Sequence, residues 1–206
     1  MSAHQGNLNA EKLREFIAGL DDFQIQERDT ETYAHMGATL TDAALQAGIH
    51  YDNVVRPRIK EILEKYPDAR TTSKFLNLLR EKGPGYVLNW QGEKKIKTLL
   101  ALAELLRAEG IETETQLAQW LQDQDRRGTL YAISGVGPKT YDYLWLLCSL
   151  DAVAVDVHLM RFAAQAGVKG EYAQVRDAVA RTASLLGRSA TQLDKAIWLY
   201  QSKRRQ

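Results

Sequence analysis

A lysine at position 139 and an aspartate at position 156 are the side chains of this chain whose types and surroundings could do chemistry. An uncharged lysine amine can attack an electrophilic carbon and form a Schiff base. A carboxylate can stabilise positive charge that builds up on a reacting carbon. Lysine ordinarily titrates near about 10.4, so a nucleophilic amine needs burial or a positive neighbour to lose its proton. Lys139 falls in the first turn of a predicted helix, where the dipole disfavours a cation, whereas an Asp156 anion close by would favour one. Asp156, followed by the apolar Val157, Leu159 and Phe162, also reads as a helix N-cap, and capping would fix the direction of its carboxylate. A lysine in this position can equally contact a phosphate group.

The elements that must position these two residues run from Leu130 to Gly167. The stretch reads as a short helix, a Gly135-Val136-Gly137 hairpin, a second helix, a brief extended run and a third helix opened by Asp156. Both glycines can take positive φ, and their missing side chains let a ligand approach the backbone. Pro138 suits a first helical position, where its absent N–H costs nothing. The N–H groups that follow sit at the positive end of a helix dipole, an arrangement that binds phosphate. Ile133, Val136 and Leu144 are expected to pin the two hairpin helices together.

Helical periodicity covers almost all of the remaining chain. Asn9 is a candidate N-cap for a first helix carrying Leu13, Phe16, Ile17 and Leu20. Further helices are expected over about 30–47, stopped by Gly48, and over about 52–66, with Pro57 near the start. Another opens at Thr72 or Ser73 and ends at Gly83-Pro84-Gly85. The clearest stripe is Ile96, Leu99, Leu100, Ala103 and Leu106. Thr113 with Gln116, and Ser189 with Gln192, have capping-box spacing. Only Ala152 to Val155 looks extended, too little for a sheet. The expectation is an all-α fold.

Composition narrows the function classes without choosing among them. The 206 residues carry a formal net charge of +1, which argues neither for nor against an anionic partner. Cys148 is the sole cysteine and His4, His35, His50 and His158 have no metal-ligand spacing, so neither a disulfide framework nor a thiolate or histidine metal site is expected. No apolar run approaches the length of a membrane span, and the N-terminal residues lack the pattern of a secretion signal. A cytoplasmic protein is expected, nucleoid-associated if prokaryotic.

The run Ile133-Ser134-Gly135-Val136-Gly137-Pro138-Lys139-Thr140 resembles the helix-hairpin-helix motif. Together with Val155-Asp156-Val157-His158 it is similar to the helix-hairpin-helix DNA glycosylase superfamily, which includes endonuclease III-like enzymes and 8-oxoguanine glycosylases. Leu88-Asn89-Trp90-Gln91-Gly92-Glu93-Lys94-Lys95-Ile96 resembles the turn and helix that precede the hairpin in that family. Tyr141 departs from it, standing where a small residue is usual, and the family's iron–sulfur cysteines are absent. The resemblance implies a two-lobed fold, with a central lobe over 30–150, a second lobe of 1–29 plus 151–206, and the active-site cleft between them. It also implies a base-excision glycosylase with AP lyase activity. Lys139 would be the nucleophile, Asp156 the electrostatic stabiliser and proton acceptor, and Gly135, Val136, Gly137, Thr140 and His158 would meet DNA.

Gln46 stands where the family carries a wedge that fills the gap left by an extruded base, and it reads equally as a surface glutamine. Tyr51 and Tyr141 are candidates for stacking on the base. The implied partner is double-stranded DNA with a damaged or mismatched base or an abasic site, bound by a monomer without cofactor. A monofunctional glycosylase and a non-catalytic DNA-binding protein are the other readings.

Overall fold

The computed structural model describes residues 3–27, 31–123 and 125–204, and among these there is no β-strand. The fold is all-α. The chain forms two compact units, one of Met1–Thr30 with Leu150–Gln206 and one of Glu31–Ser149.

The 31–149 unit is built around helix α2 (Met36–Leu45), every residue of which is buried. A helix without a polar face must be enclosed on all sides. The enclosing elements include α3 (Arg56–Lys65), α4 (Thr72–Lys82), α6 (Glu93–Ala108) and α9 (Pro138–Leu147). Its N-terminus is capped by His35, whose Nδ1 accepts from Ala38 N at 3.1 Å while Nε2 lies 2.9 Å from the Tyr66 carbonyl. Buried Glu114 accepts from His35 N and from the Thr39 hydroxyl. The short α5 (Pro84–Val87), α7 (Glu114–Leu121) and α8 (Arg126–Tyr131) complete the unit. The expected capping box at Thr113 and Gln116 opens α7.

Two details differ from the sequence reading. The segment read as one helix over about 52–66 divides into a π-helical turn, Tyr51–Val55, and α3, with Pro57 in the first turn of α3. The run expected to be helical from about 30 starts only at Met36, so Tyr33 stands in the segment before the helix.

In the other unit, α1 (Ala3–Ala18), α10 (Val157–Gln165), α11 (Tyr172–Leu185) and α12 (Ala190–Lys203) close around Phe162. The Phe162 ring lies 5.2 Å from that of Phe16, 5.5 Å from Phe23 and 5.9 Å from Tyr200. Asn9 does not cap α1: the helix begins six residues earlier, and Asn9 is a buried residue accepting from Gln5 Nε2. The extended run Ala152–Val155 is buried, so its backbone donors need partners. Ala152 N donates to Thr191 Oγ1 at 3.2 Å, and Ala154 N donates to Asp194 Oδ2 at 2.8 Å. Ser189 and Gln192 form the expected capping box at the start of α12.

Candidate functional site

The hairpin joins α8 to α9. Val136 N donates to Ile133 O at 3.0 Å to close its turn. The two glycines serve different purposes. Gly135 has φ +90°, and a Cβ there would lie 2.5 Å from Thr98 Oγ1 on α6. Thr98 Oγ1 donates to the Ser134 carbonyl at 2.8 Å, so α6 grips the hairpin from beneath. Gly137 does not take the positive φ expected of it: at φ −124° it is extended, and a Cβ there would meet nothing within 4 Å. Its open side leaves the backbone approachable.

No side chain caps the N-terminus of α9, and Pro138 opens it. The N-terminal donors of α9 are therefore not satisfied by a cap, as an anion-binding helix start requires. Beside the hairpin, Glu93, Lys94, Lys97, Ala101 and Ser134 line an open groove of about 580 Å³. Thr140, expected at DNA, is 4% exposed and points into the unit. Val136 is buried as well, so its side chain holds the hairpin and leaves ligand contacts to backbone.

Lys139 is half-buried, and its neighbours are the main finding of the site. Four residues on, one helical turn along the same face of α9, Tyr143 donates to Asp42 Oδ1 at 3.1 Å and reaches Oδ2 at 3.2 Å. Tyr33 donates to Asp42 Oδ2 at 2.8 Å and Tyr51 donates to the same oxygen at 3.2 Å. Asp42 is a fully buried carboxylate in the middle of α2, held by three hydroxyls: Tyr33 from the segment before the helix, Tyr51 from the π-helical turn and Tyr143 from α9. Desolvation raises its pKa to about 6, while the tyrosine hydrogen bonds and the Lys139 charge act in the opposite direction. Burial and the adjacent Asp42 push Tyr51 up to about 12, and they raise Tyr33 and Tyr143 well above the ordinary phenol range. These phenols are donors locked onto a carboxylate. None is a base at neutral pH.

On the other side, Lys95 of α6 is half-buried and donates to the Ala47 carbonyl at 2.8 Å. Desolvation lowers its pKa, and repulsion from Lys139 and Lys94 adds to the effect. Lys139 thus stands within electrostatic reach of Asp42 and of Lys95.

Asp42, Tyr33, Tyr143 and Lys95 were not singled out as site residues from the sequence. The signals were there: an aspartate inside the most apolar helical run, and a tyrosine one turn after Lys139. Tyr51 was singled out as a base-stacking residue, and it is tied to Asp42.

Gln46 is 6% exposed and its Nε2 is buried without a hydrogen-bond partner. It therefore does not protrude as a wedge must. It sits one turn after Asp42, and its free amide is turned inward. Tyr141 is 2% exposed, donates to the Leu121 carbonyl at 3.3 Å and packs edge-on to Tyr131. It fills the space a smaller residue would leave and is not free to line a pocket. Cys148 is buried, with its thiol pushed up to about 12, so it offers no thiolate at neutral pH.

In the other unit, Asp156 is the N-cap of α10. Its Oδ1 accepts from His158 N at 2.8 Å and Leu159 N at 3.0 Å. The His158 ring is half-buried, 6.1 Å from that of Trp198. Lys203 and Arg204 end α12, with Arg204 near Asp22 at 3.4 Å; Arg205 lies outside the described residues.

Among the described residues no group of histidine, cysteine or acidic side chains could hold a metal ion, and no helix is long and apolar enough to cross a membrane. No curated protein and no solved structure matches the chain. Residues 11–202 match the family described as Domain of unknown function (DUF8548), and the chain belongs to that family.

Proposed function

We propose that this protein is a base-excision DNA glycosylase with AP lyase activity. The observation that carries the reading is the setting of Lys139. It is half-buried in the first turn after an uncapped, backbone-exposing hairpin, and its charge is felt by a buried carboxylate. A lysine that only met the DNA backbone would be exposed and would need no such neighbour. Perturbed titrating groups packed together beside an anion-binding helix start mark a reactive site more often than a purely structural one.

The hairpin amides would hold a phosphate and so place the strand against Lys139. The neutral amine would form a bond to the sugar C1′ while the glycosidic electron pair leaves with the base, which takes up a proton. Loss of an amine proton and opening of the sugar ring give the Schiff base. Removal of a proton from C2′ then expels the 3′ phosphate. By the resemblance, Asp156 is the carboxylate that stabilises the positive charge developing on the sugar, and its place as the cap of α10 fixes its direction.

Borohydride reduction during incubation with abasic-site DNA tests the proposal. A covalent protein–DNA adduct lost in Lys139→Gln supports it. Protein that binds the same duplex but neither traps nor nicks it overturns it in favour of a DNA-binding protein. Base release without trapping on lesion-bearing duplexes would point to a monofunctional enzyme. A panel of duplexes, each with one lesion or mismatch, scored separately for release and nicking, names the base.

A further inference from the structure

We propose that the groove beside the hairpin is a second backbone-binding site, in which Lys94, Lys97 and the Ser134 hydroxyl receive phosphates of the strand that the hairpin amides hold. The proposal rests on the reading of the hairpin as a DNA-backbone site, and adds where the strand goes next.

One face of α6 forms most of the groove. Glu93, Lys97 and Ala101 recur at four-residue spacing, with Lys94 three residues before Lys97, so all four lie together on the helix surface. Ser134, the residue before Gly135, lines the groove from the hairpin. Thr98 Oγ1 donates to the Ser134 carbonyl at 2.8 Å, and a Cβ on Gly135 would collide with the same oxygen. The hairpin therefore lies at a fixed distance from α6, and the groove is formed before any ligand arrives. From Glu93 to Ala101 the helix rises about 12 Å, enough to meet successive phosphates of one strand. Lys94, Lys97, Ala101 and Ser134 are all exposed.

The lysines are placed against the interest of their own helix. No side chain caps the N-terminus of α6, and a cation in the first turn meets the positive end of the dipole. Lys95 turns inward, where its Nζ donates to the Ala47 carbonyl. Lys94 has no acidic partner among the described residues, and Lys97 has only Glu93, 3.1 Å away in a pair that is mostly exposed. Such a pair contributes little. An anion from outside gives these charges the partner that the fold does not supply. The start of α9, beyond the hairpin, also lacks a side-chain cap, so both helices that flank the groove begin with free N–H donors.

The pattern fits a strand better than a single small anion. Its cations are spaced along the groove, and between them Ala101 and the lysine stems offer apolar surface for sugars. Glu93 is the one acidic residue of the lining, and it must give up Lys97 when a phosphate binds.

Fluorescence anisotropy with an undamaged duplex, titrated across salt concentration, tests the proposal in the whole protein. Each phosphate neutralised adds about 0.9 to the slope of log affinity on log salt. Lys94→Gln should lower that slope by about 0.9 and weaken binding about fivefold at 0.15 M salt. Lys94→Gln with Lys97→Gln should lower the slope by about 1.8. Glu93→Gln should tighten binding about twofold. The melting temperature of Lys94→Gln should stay level or rise, because an unfavourable first-turn cation is gone. Lys74→Gln is the charge-matched control. Lys74 follows Ser73, which is bonded to Glu112 past the far end of α6, and its loss should leave the slope unchanged. An unchanged slope in the double variant overturns the proposal, as does an equal loss in Lys74→Gln. Tighter binding of polyglutamate than of duplex, abolished in the double variant, overturns it in favour of an acidic protein partner. Borohydride trapping together with an unchanged slope leaves the lyase reading standing without the groove, and the expected slopes in a protein that never traps do the reverse.

Discussion

Asp156 and Asp42 solve the same problem, an anion near a protein interior, in opposite ways. Asp156 takes backbone N–H donors from the two and three residues that follow it, at the start of a helix. Asp42 sits inside a helix with no free donors of its own. It depends on hydroxyls from Tyr33 and Tyr51, each nine residues away, and from Tyr143, 101 residues away. The first arrangement is local and survives wherever its helix starts. The second exists only once the whole 31–149 unit has assembled, and burial still leaves that carboxyl titrating near 6. A buried acid of this kind costs stability, and such costs are tolerated mostly where function needs them.

The contrast is sharpest under substitution. Asp156→Asn keeps a good cap, so its melting temperature should stay near that of the wild type. If its carboxylate serves the chemistry, base release should nevertheless fall on the order of a hundredfold or more. Equal losses of stability and activity would reduce Asp156 to a cap.

Asp42 should reveal itself through pH. Its carboxyl binds a proton more tightly in the folded state than in the unfolded chain, because its pKa is raised from 3.8 to about 6. The stability it contributes is complete below about pH 4 and is lost as pH rises through about 6, on the order of 3 kcal/mol from this one group. Urea unfolding of wild type and Asp42→Asn at pH 4 and pH 7 measures it, and the variant should lack this part of the slope. A parallel pH dependence in the two proteins would remove Asp42 from its buried state.

Tyr143→Phe deletes one donor to that carboxylate and should cost about 2 kcal/mol near neutral pH, while raising the Asp42 midpoint further. Unchanged stability and an unchanged midpoint would mean that the hydroxyl does not hold the acid.

The same division between local and distant constraints separates the hairpin glycines. Gly135→Ala places a Cβ against Thr98 at positive φ and should cost about 1–2 kcal/mol. Gly137→Ala meets open space in an extended conformation, so stability should shift by less than about 0.5 kcal/mol. Affinity for duplex DNA should still fall in Gly137→Ala if the strand approaches the backbone there, as fluorescence anisotropy would show.

What was legible in the sequence follows the same line. The capping boxes at Thr113 and Ser189, the cap at Asp156 and the glycine turn at Gly135 are short-range patterns, and each stands in the structure. The start of α1 was misplaced because Asn9 is as good a cap as any, and only the preceding residues' helicity overrules it. The apolar stripe on α6 was readable, and Lys94, Lys95 and Lys97 read together as a basic set at a helix start that favours an anionic partner, with nothing local to set Lys95 apart. Its Ala47 partner lies 48 residues away. The tyrosines of the Asp42 cluster were individually visible, and Tyr51 drew notice as an aromatic. Their convergence on a single carboxylate is a property of tertiary packing, with no periodicity to betray it.

The extended run before Asp156 has a consequence for dynamics. Its amides at Ala152 and Ala154 belong to no helix or strand, yet both are buried and bonded to side chains at the start of α12. In hydrogen-exchange measurements these two positions should be protected for as long as the α12 N-terminus stays closed, unlike an ordinary connecting segment. Their exchange should quicken together in Thr191→Val or Asp194→Leu. The lead-in to Asp156 would then open in step with a helix far along the chain, and its rigidity would be on loan from that helix.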